Sequence, residues 1–189
     1  MDVFVDAVQL LNKAKITKPV HPKHHKSISN KAELGEGFSY FFQHGAAAER
    51  YVGNSSLFEQ LVRTASSIKG HRRVLGGNAP VMANRFALEG AEVLLASQAS
   101  PEFKKALRPE IEITGSEVAT SDIHLILEYK TGEKWGNYKS VRANRYIIHS
   151  DKYNPTIQSL EPLVRTYEKF NPTLLVVGGL QMLDNFPFQ

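Results

Sequence analysis

Between Arg73 and Asn84 the chain reads RVLGGNAPVMAN, and this stretch limits the fold more than any other. A short apolar run stops at a Gly-Gly pair and opens directly into a helical pattern, the strand–turn–helix junction from which open α/β sheets are built. Gly76 and Gly77 let backbone approach a ligand closely, and Asn78 falls where a helix N-cap belongs. Free N–H groups and a side-chain amide therefore point to one place. The same turn serves equally as a plain backbone device.

Neighbouring segments extend the pattern. Val3 to Val8 reads as a buried strand, followed by a Lys/His/Pro loop from about Lys13 to Ser29. Lys31 to His44 places Leu34, Phe38, Phe41 and Phe42 at helical spacing, and Ser56 to Ile68 does the same with Leu57, Leu61 and Val62. Arg72 to Leu75 is a short strand, Asn78 to Leu88 a helix and Glu92 to Ala96 another strand. This alternation predicts an α/β fold with a mostly parallel sheet and flanking helices. From Asp122 to Lys130, Ile123, Leu125, Leu127 and Tyr129 share one face and His124, Ile126 and Glu128 the other. Trp135 to His149 returns antiparallel after a turn at Thr131 to Glu133, which predicts a small sheet added to the main layer. Pro155 to Phe170 is helical, and Thr173 to Val177 is a last strand ending at Gly178-Gly179.

Length and charge bound the function. The 189 residues suffice for one domain with a full core, or for one large and one small lobe. The net charge of +4 comes largely from Lys13 to Lys26, where five lysines and three histidines occur without an acid. No aromatic residue is interleaved there and no recognition motif follows, so the block reads as a solvated loop and no nucleic-acid partner is expected. His21, His24 and His25 have short spacing, but Pro22 breaks any helix and no carboxylate adjoins them in sequence, so no metal site is assigned. The absence of cysteine removes disulfides, thiol nucleophiles and zinc–thiolate sites. No apolar stretch approaches the ~20 residues of a membrane span, and no membrane partner is expected. MDVFVDAVQLL lacks a basic n-region, so it does not read as a signal peptide; it starts almost inside a strand, and further sequence upstream is expected. Neither a dinucleotide fingerprint nor a P-loop occurs. Glu128 and Glu133 read as a strand-face acid and a turn residue rather than an acid/base pair.

Two carboxylates stand in distinctive settings: Asp6 inside VFVDAV, and Glu49 after the small residues of GAAAER. Each alone reads as a cap or a solvated acid. Yet VDAV, GAAAER, GGNA, HLILEY (His124 to Tyr129) and ANRYII (Ala143 to Ile148), in that order, resemble the ADP-dependent sugar kinases, in particular the metazoan type of ADP-dependent glucokinase. The resemblance runs from about Asp2 to the last residue. It implies a ribokinase-like α/β fold with a small β lid, in which residues 1–100 begin the large domain, 101–150 include the lid and 151–189 return to the large domain. It also implies phosphorylation of glucose by ADP, giving glucose 6-phosphate and AMP with Mg²⁺ as cofactor. The full-length form is then a monomer, placed in metazoan relatives in the endoplasmic reticulum or secretory pathway.

Carried over residue by residue, the sugar site comprises Asp6, Glu49, Gly76, Gly77, Asn78 and His124, where carboxylates and amides satisfy adjacent hydroxyls. His124 by itself also reads as a half-buried histidine. Asp2 departs from the pattern, since the family has an asparagine ahead of the strand aspartate and a carboxylate cannot donate as an amide does. Glu49 favours glucose over fructose 6-phosphate, because a carboxylate repels a phosphorylated sugar. The family's Gly-x-Gly-Asp base turn does not occur in the chain, and no Asn-x-x-Glu segment in it is suited to organising Mg²⁺. The resemblance places them, with the nucleotide-holding half, beyond Gln189. By this reading the chain alone holds no catalytic base and is inactive, and the alternative is a non-catalytic isoform or fragment that keeps the sugar-binding half.

Overall fold

A computed structural model describes residues 1–156 and 158–178. In chain order the elements begin β1 (Asp2–Asp6), α1 (Ala7–Lys13), β2 (Ser27–Ile28), α2 (Lys31–His44), β3 (Ala48–Val52), α3 (Ser55–Ser66) and β4 (Arg72–Val74). They continue with α4 (Asn78–Leu88), β5 (Leu94–Ala96), α5 (Pro101–Ala106) and β6 (Glu112–Thr114). The last are β7 (His124–Tyr129), β8 (Lys134–Trp135), β9 (Tyr138–Lys139), β10 (Asn144–His149) and α6 (Leu160–Phe170). The chain divides into two compact units, one of residues 2–73 with 123–150, the other of Met1, 74–122 and the described residues from Asp151 on.

In the first unit a six-stranded sheet has the order β2-β3-β10-β7-β1-β4. β1 runs parallel to β7, and β3 parallel to β10 and to β2, while β7 and β10 are antiparallel. This is the mostly parallel mixed sheet with flanking helices that the alternation predicts. One face is packed by α1, α2 and α3. Val3, Val5, Leu125, Leu127, Tyr146 and Ile148 from the strands meet Leu10, Leu34, Phe38, Phe42 and Leu61 from the helices.

Local chemistry explains α2. Asn30 accepts from the Glu33 N–H at 3.0 Å while the Glu33 carboxylate accepts from the Ser29 N–H at 2.6 Å, a reciprocal start. Gly45 ends the helix at φ 58°, a left-handed turn that favours glycine. Leu34, Phe38 and Phe42 fall four residues apart and face the sheet. The Tyr129 hydroxyl donates to the Ala46 carbonyl at 2.9 Å; burial pushes its pKa up to about 12, with Arg142 opposing the shift.

Three sequence expectations are corrected. The first strand stops at Asp6, and Ala7–Lys13 is helical because Asp6 caps it, accepting from the Gln9 N–H at 2.8 Å. β7 and β10 pair antiparallel as the alternation predicts, but they occupy the middle of the main sheet, and only β8 and β9 form a separate two-stranded ribbon. β7 is apolar on both faces, with Ile126 buried opposite Leu125 and Leu127, which suits a central strand. The strand expected at Thr173 to Val177 does not form, since Leu174–Val177 are exposed and no described strand offers them a ladder. Gly179 lies outside the described residues.

The second unit is built on the parallel pair β5–β6 with a core of Ala83, Ala87, Leu95, Phe103, Leu107 and Ile111. Ser100 caps α5, which starts at Pro101. Within this unit the Asp122 carboxylate accepts from the backbone N–H groups of Lys152, Tyr153 and Asn154 at 2.7–2.9 Å. Asp122→Ala is expected to cost about 1.5–3 kcal/mol in urea unfolding, because three donors lose a charged acceptor. An unchanged midpoint would show that water satisfies them equally well.

Candidate functional site

Pairing register fixes what the sheet presents on the face away from α1–α3. Tyr51, His149, His124 and Asp2 form one row across four strands, and Glu49, Ile147, Ile126 and Phe4 form the next. Arg145, Glu128 and Asp6 make a third.

Glu49 and His124 meet on this face, with Glu49 Oε1 3.4 Å from His124 Nδ1 and side chains 40% and 22% exposed. The His149 ring centroid lies 5.0 Å from that of His124 and 5.8 Å from that of Tyr51. Glu128 is engaged elsewhere, bonded by Arg72 at 2.9 Å while that guanidinium lies over the Phe4 ring. Asp6 shares the face but sits at the cap of α1 in the third row. Three strand spacings separate it from Glu49, about 14 Å at ~4.8 Å each. The first unit thus joins Glu49 with His124 and leaves Asp6 at a distance.

Gly76, Gly77 and Asn78 belong to the second unit. The N-cap of α4 is Gly77 rather than Asn78, and no side-chain cap bond is made. Gly77 takes φ 86° and ψ 140°, and its carbonyl accepts from the Val81 N–H at 3.3 Å, so the helix starts one residue earlier and Asn78 is its first residue. That leaves the Asn78 amide exposed instead of folded back as a cap. Gly77→Ala is expected to destabilise by about 1–3 kcal/mol, since this backbone region is almost reserved for glycine and the new Cβ would lie 3.3 Å from Pro80 Cδ. Thermal unfolding of the variant measures it, and an unchanged midpoint would refute the strain.

The basic loop is less free than its composition implies. Arg50 donates to His24 Nε2 and to the His25 carbonyl, both at 2.6 Å, and its guanidinium lies 4.7 Å from the Phe41 ring centroid. A carboxylate does adjoin His25: Glu36 Oε2 stands 2.6 Å from its Nε2, brought there by α2. The residues that the sequence reading passed over on the face away from α1–α3 are Tyr51 and His149. Their signal was the period of two from Glu49 to Tyr51, but only the β3–β10 register brings His149 beside them.

The chain matches, over residues 1–189, the family model described as the ADP-specific phosphofructokinase/glucokinase conserved region. It is 32% identical over 186 residues to an ADP-dependent glucokinase of Bos taurus and 31% identical over 188 residues to a probable ADP-dependent glucokinase of Caenorhabditis elegans. Each match covers 97% of this chain and 37% of the relative, so the chain spans well under half the length of these relatives. Among solved structures it is similar to a phosphofructokinase from Pyrococcus horikoshii OT3 with AMP, at TM-score 0.60 and 14% identity over 89% of this chain and 44% of that one. A hypothetical ADP-dependent phosphofructokinase from the same organism gives TM-score 0.58 and 14% identity, covering 86% and 42%. At such identity the structures speak for the α/β fold, and the family model speaks for descent. With that model matched from end to end, the chain belongs to the ADP-specific phosphofructokinase/glucokinase family.

Proposed function

We propose that this chain carries the sugar-recognising part of a kinase that uses ADP to phosphorylate glucose, yielding glucose 6-phosphate and AMP. The observation that carries the reading is Glu49, a partly exposed carboxylate on the face of the sheet away from α1–α3, with His124 beside it. A carboxylate accepts hydrogen bonds from adjacent sugar hydroxyls, and a neighbouring imidazole can donate or accept at the same rim. The glucokinase relatives support glucose as the acceptor, and charge supports it too, since Glu49 would repel the phosphate of fructose 6-phosphate.

This chain's part in the reaction is to bind and orient the sugar. Mg²⁺ is a hard cation that takes carboxylate and phosphate oxygens. On the face away from α1–α3 Glu49 lies beside His124 and Glu128 is bonded by Arg72, so these two carboxylates do not converge on one ion. Calorimetric titration of the protein with glucose and with fructose 6-phosphate tests the reading. Glucose is expected to bind at least about tenfold more tightly, and tighter binding of fructose 6-phosphate would overturn the assignment.

A further inference from the structure

Tyr51 follows Glu49 by two residues on β3, so both side chains leave the same face of the sheet, about 6.7 Å apart along the strand. That separation is close to the width of one hexose ring. Tyr51 is 42% exposed, and its ring is braced at 70° against buried His149. His149 in turn adjoins His124, which adjoins Glu49. All four share a face of the sheet with Ile147, the register partner of Glu49. They put a carboxylate, two imidazoles and an aromatic ring next to one another on that face.

Glucopyranose has the complementary shape. Its hydroxyls project around the rim, and each ring face presents C–H bonds. A carboxylate satisfies the rim, whereas the C–H face needs an apolar surface held in place. A tyrosine ring supplies this at low entropic cost, because only two torsions are fixed. His149 is itself buried and packs edge-on against the ring, so it limits the rotamers that the ring can take.

We propose that Tyr51 is the stacking wall of the sugar subsite, receiving the C–H face of the hexose while Glu49 accepts its rim hydroxyls. The inference rests on reading Glu49 as a sugar-binding residue. The phenol hydroxyl is not required for this role, only the ring face.

Glucose titrations on the wild-type protein and on Tyr51→Leu, Tyr51→Phe and Glu49→Gln test it, with thermal unfolding of each as a check on the fold. Tyr51→Leu keeps bulk but loses the flat ring, and is expected to weaken glucose binding by about three- to tenfold without moving the unfolding midpoint. Tyr51→Phe is expected to restore most of that loss. Wild-type affinity in Tyr51→Leu, or a phenylalanine variant as weak as the leucine one, overturns the stacking role. If Glu49→Gln weakens binding while Tyr51→Leu does not, only this inference falls. If neither variant changes binding, or the wild-type protein binds no glucose, the sugar-site reading falls with it.

Discussion

Glu49→Ala is expected to raise the dissociation constant for glucose by about ten- to a hundredfold, the loss of one hydrogen bond to a charged acceptor at ~1.5–3 kcal/mol. The fold should survive. Glu49 is 40% exposed and belongs to no buried cluster, and its 3.4 Å contact with His124 is one whose removal changes stability little. The neighbouring lock on β3 is untouched, because Arg50 bonds the Glu49 carbonyl and not its carboxylate. Titration calorimetry reads the affinity and urea unfolding reads the fold. An unchanged dissociation constant would remove Glu49 from the site, and a large fall in stability would make any affinity change uninterpretable as a direct contact.

Phe38→Ala should have the largest effect on stability. Phe38 is fully buried, with the rings of Phe42, Trp135, Tyr129 and Tyr146 around it at centroid distances of 5.1–6.0 Å. Truncation leaves a cavity lined by four aromatic residues that are themselves held by α2, the sheet and the ribbon, so the site cannot collapse to fill it. The expected loss is about 3–5 kcal/mol, a large share of the ~5–15 kcal/mol that holds a domain together. Trp135, the single tryptophan, is 1% exposed beside the cavity, and its fluorescence reports the transition directly. A loss below about 1 kcal/mol would mean that the aromatic cluster repacks freely, contrary to the close packing expected of such a core.

The helices were the most legible part of the sequence, because their signals are local. Leu34, Phe38 and Phe42 mark the buried face of α2 and Gly45 marks its end. α1 was hidden by its own β-branched neighbours: Val3, Val5 and Val8 read as one strand, although Asp6 followed three residues later by Gln9 is a helix-start spacing. The alternation in β7 gave its two faces correctly but not its place in the sheet, since position among strands depends on pairing with residues over a hundred positions away. The site divides in the same way. Glu49 and His124 were reached through the order of short segments, whereas Tyr51 and His149 became neighbours only through the β3–β10 register, for which no local pattern exists.

That register also sets a timetable for synthesis. β1 is parallel to β7, with Asp2 opposite His124, and β7 is the strand that connects β1 to β10 and so to β3. At ~5–20 residues per second, about 6–24 s pass between translation of Asp6 and of His124. Through that interval Val3 and Val5 have neither of the central strands to cover their edge, and α1, α2 and α3 have only part of a sheet to pack on. Closing so long a loop is slow in any chain. Assembly of this unit is therefore one late event, released when residues 124–149 emerge, and the nascent chain before that moment is the form in which a chaperone would meet it.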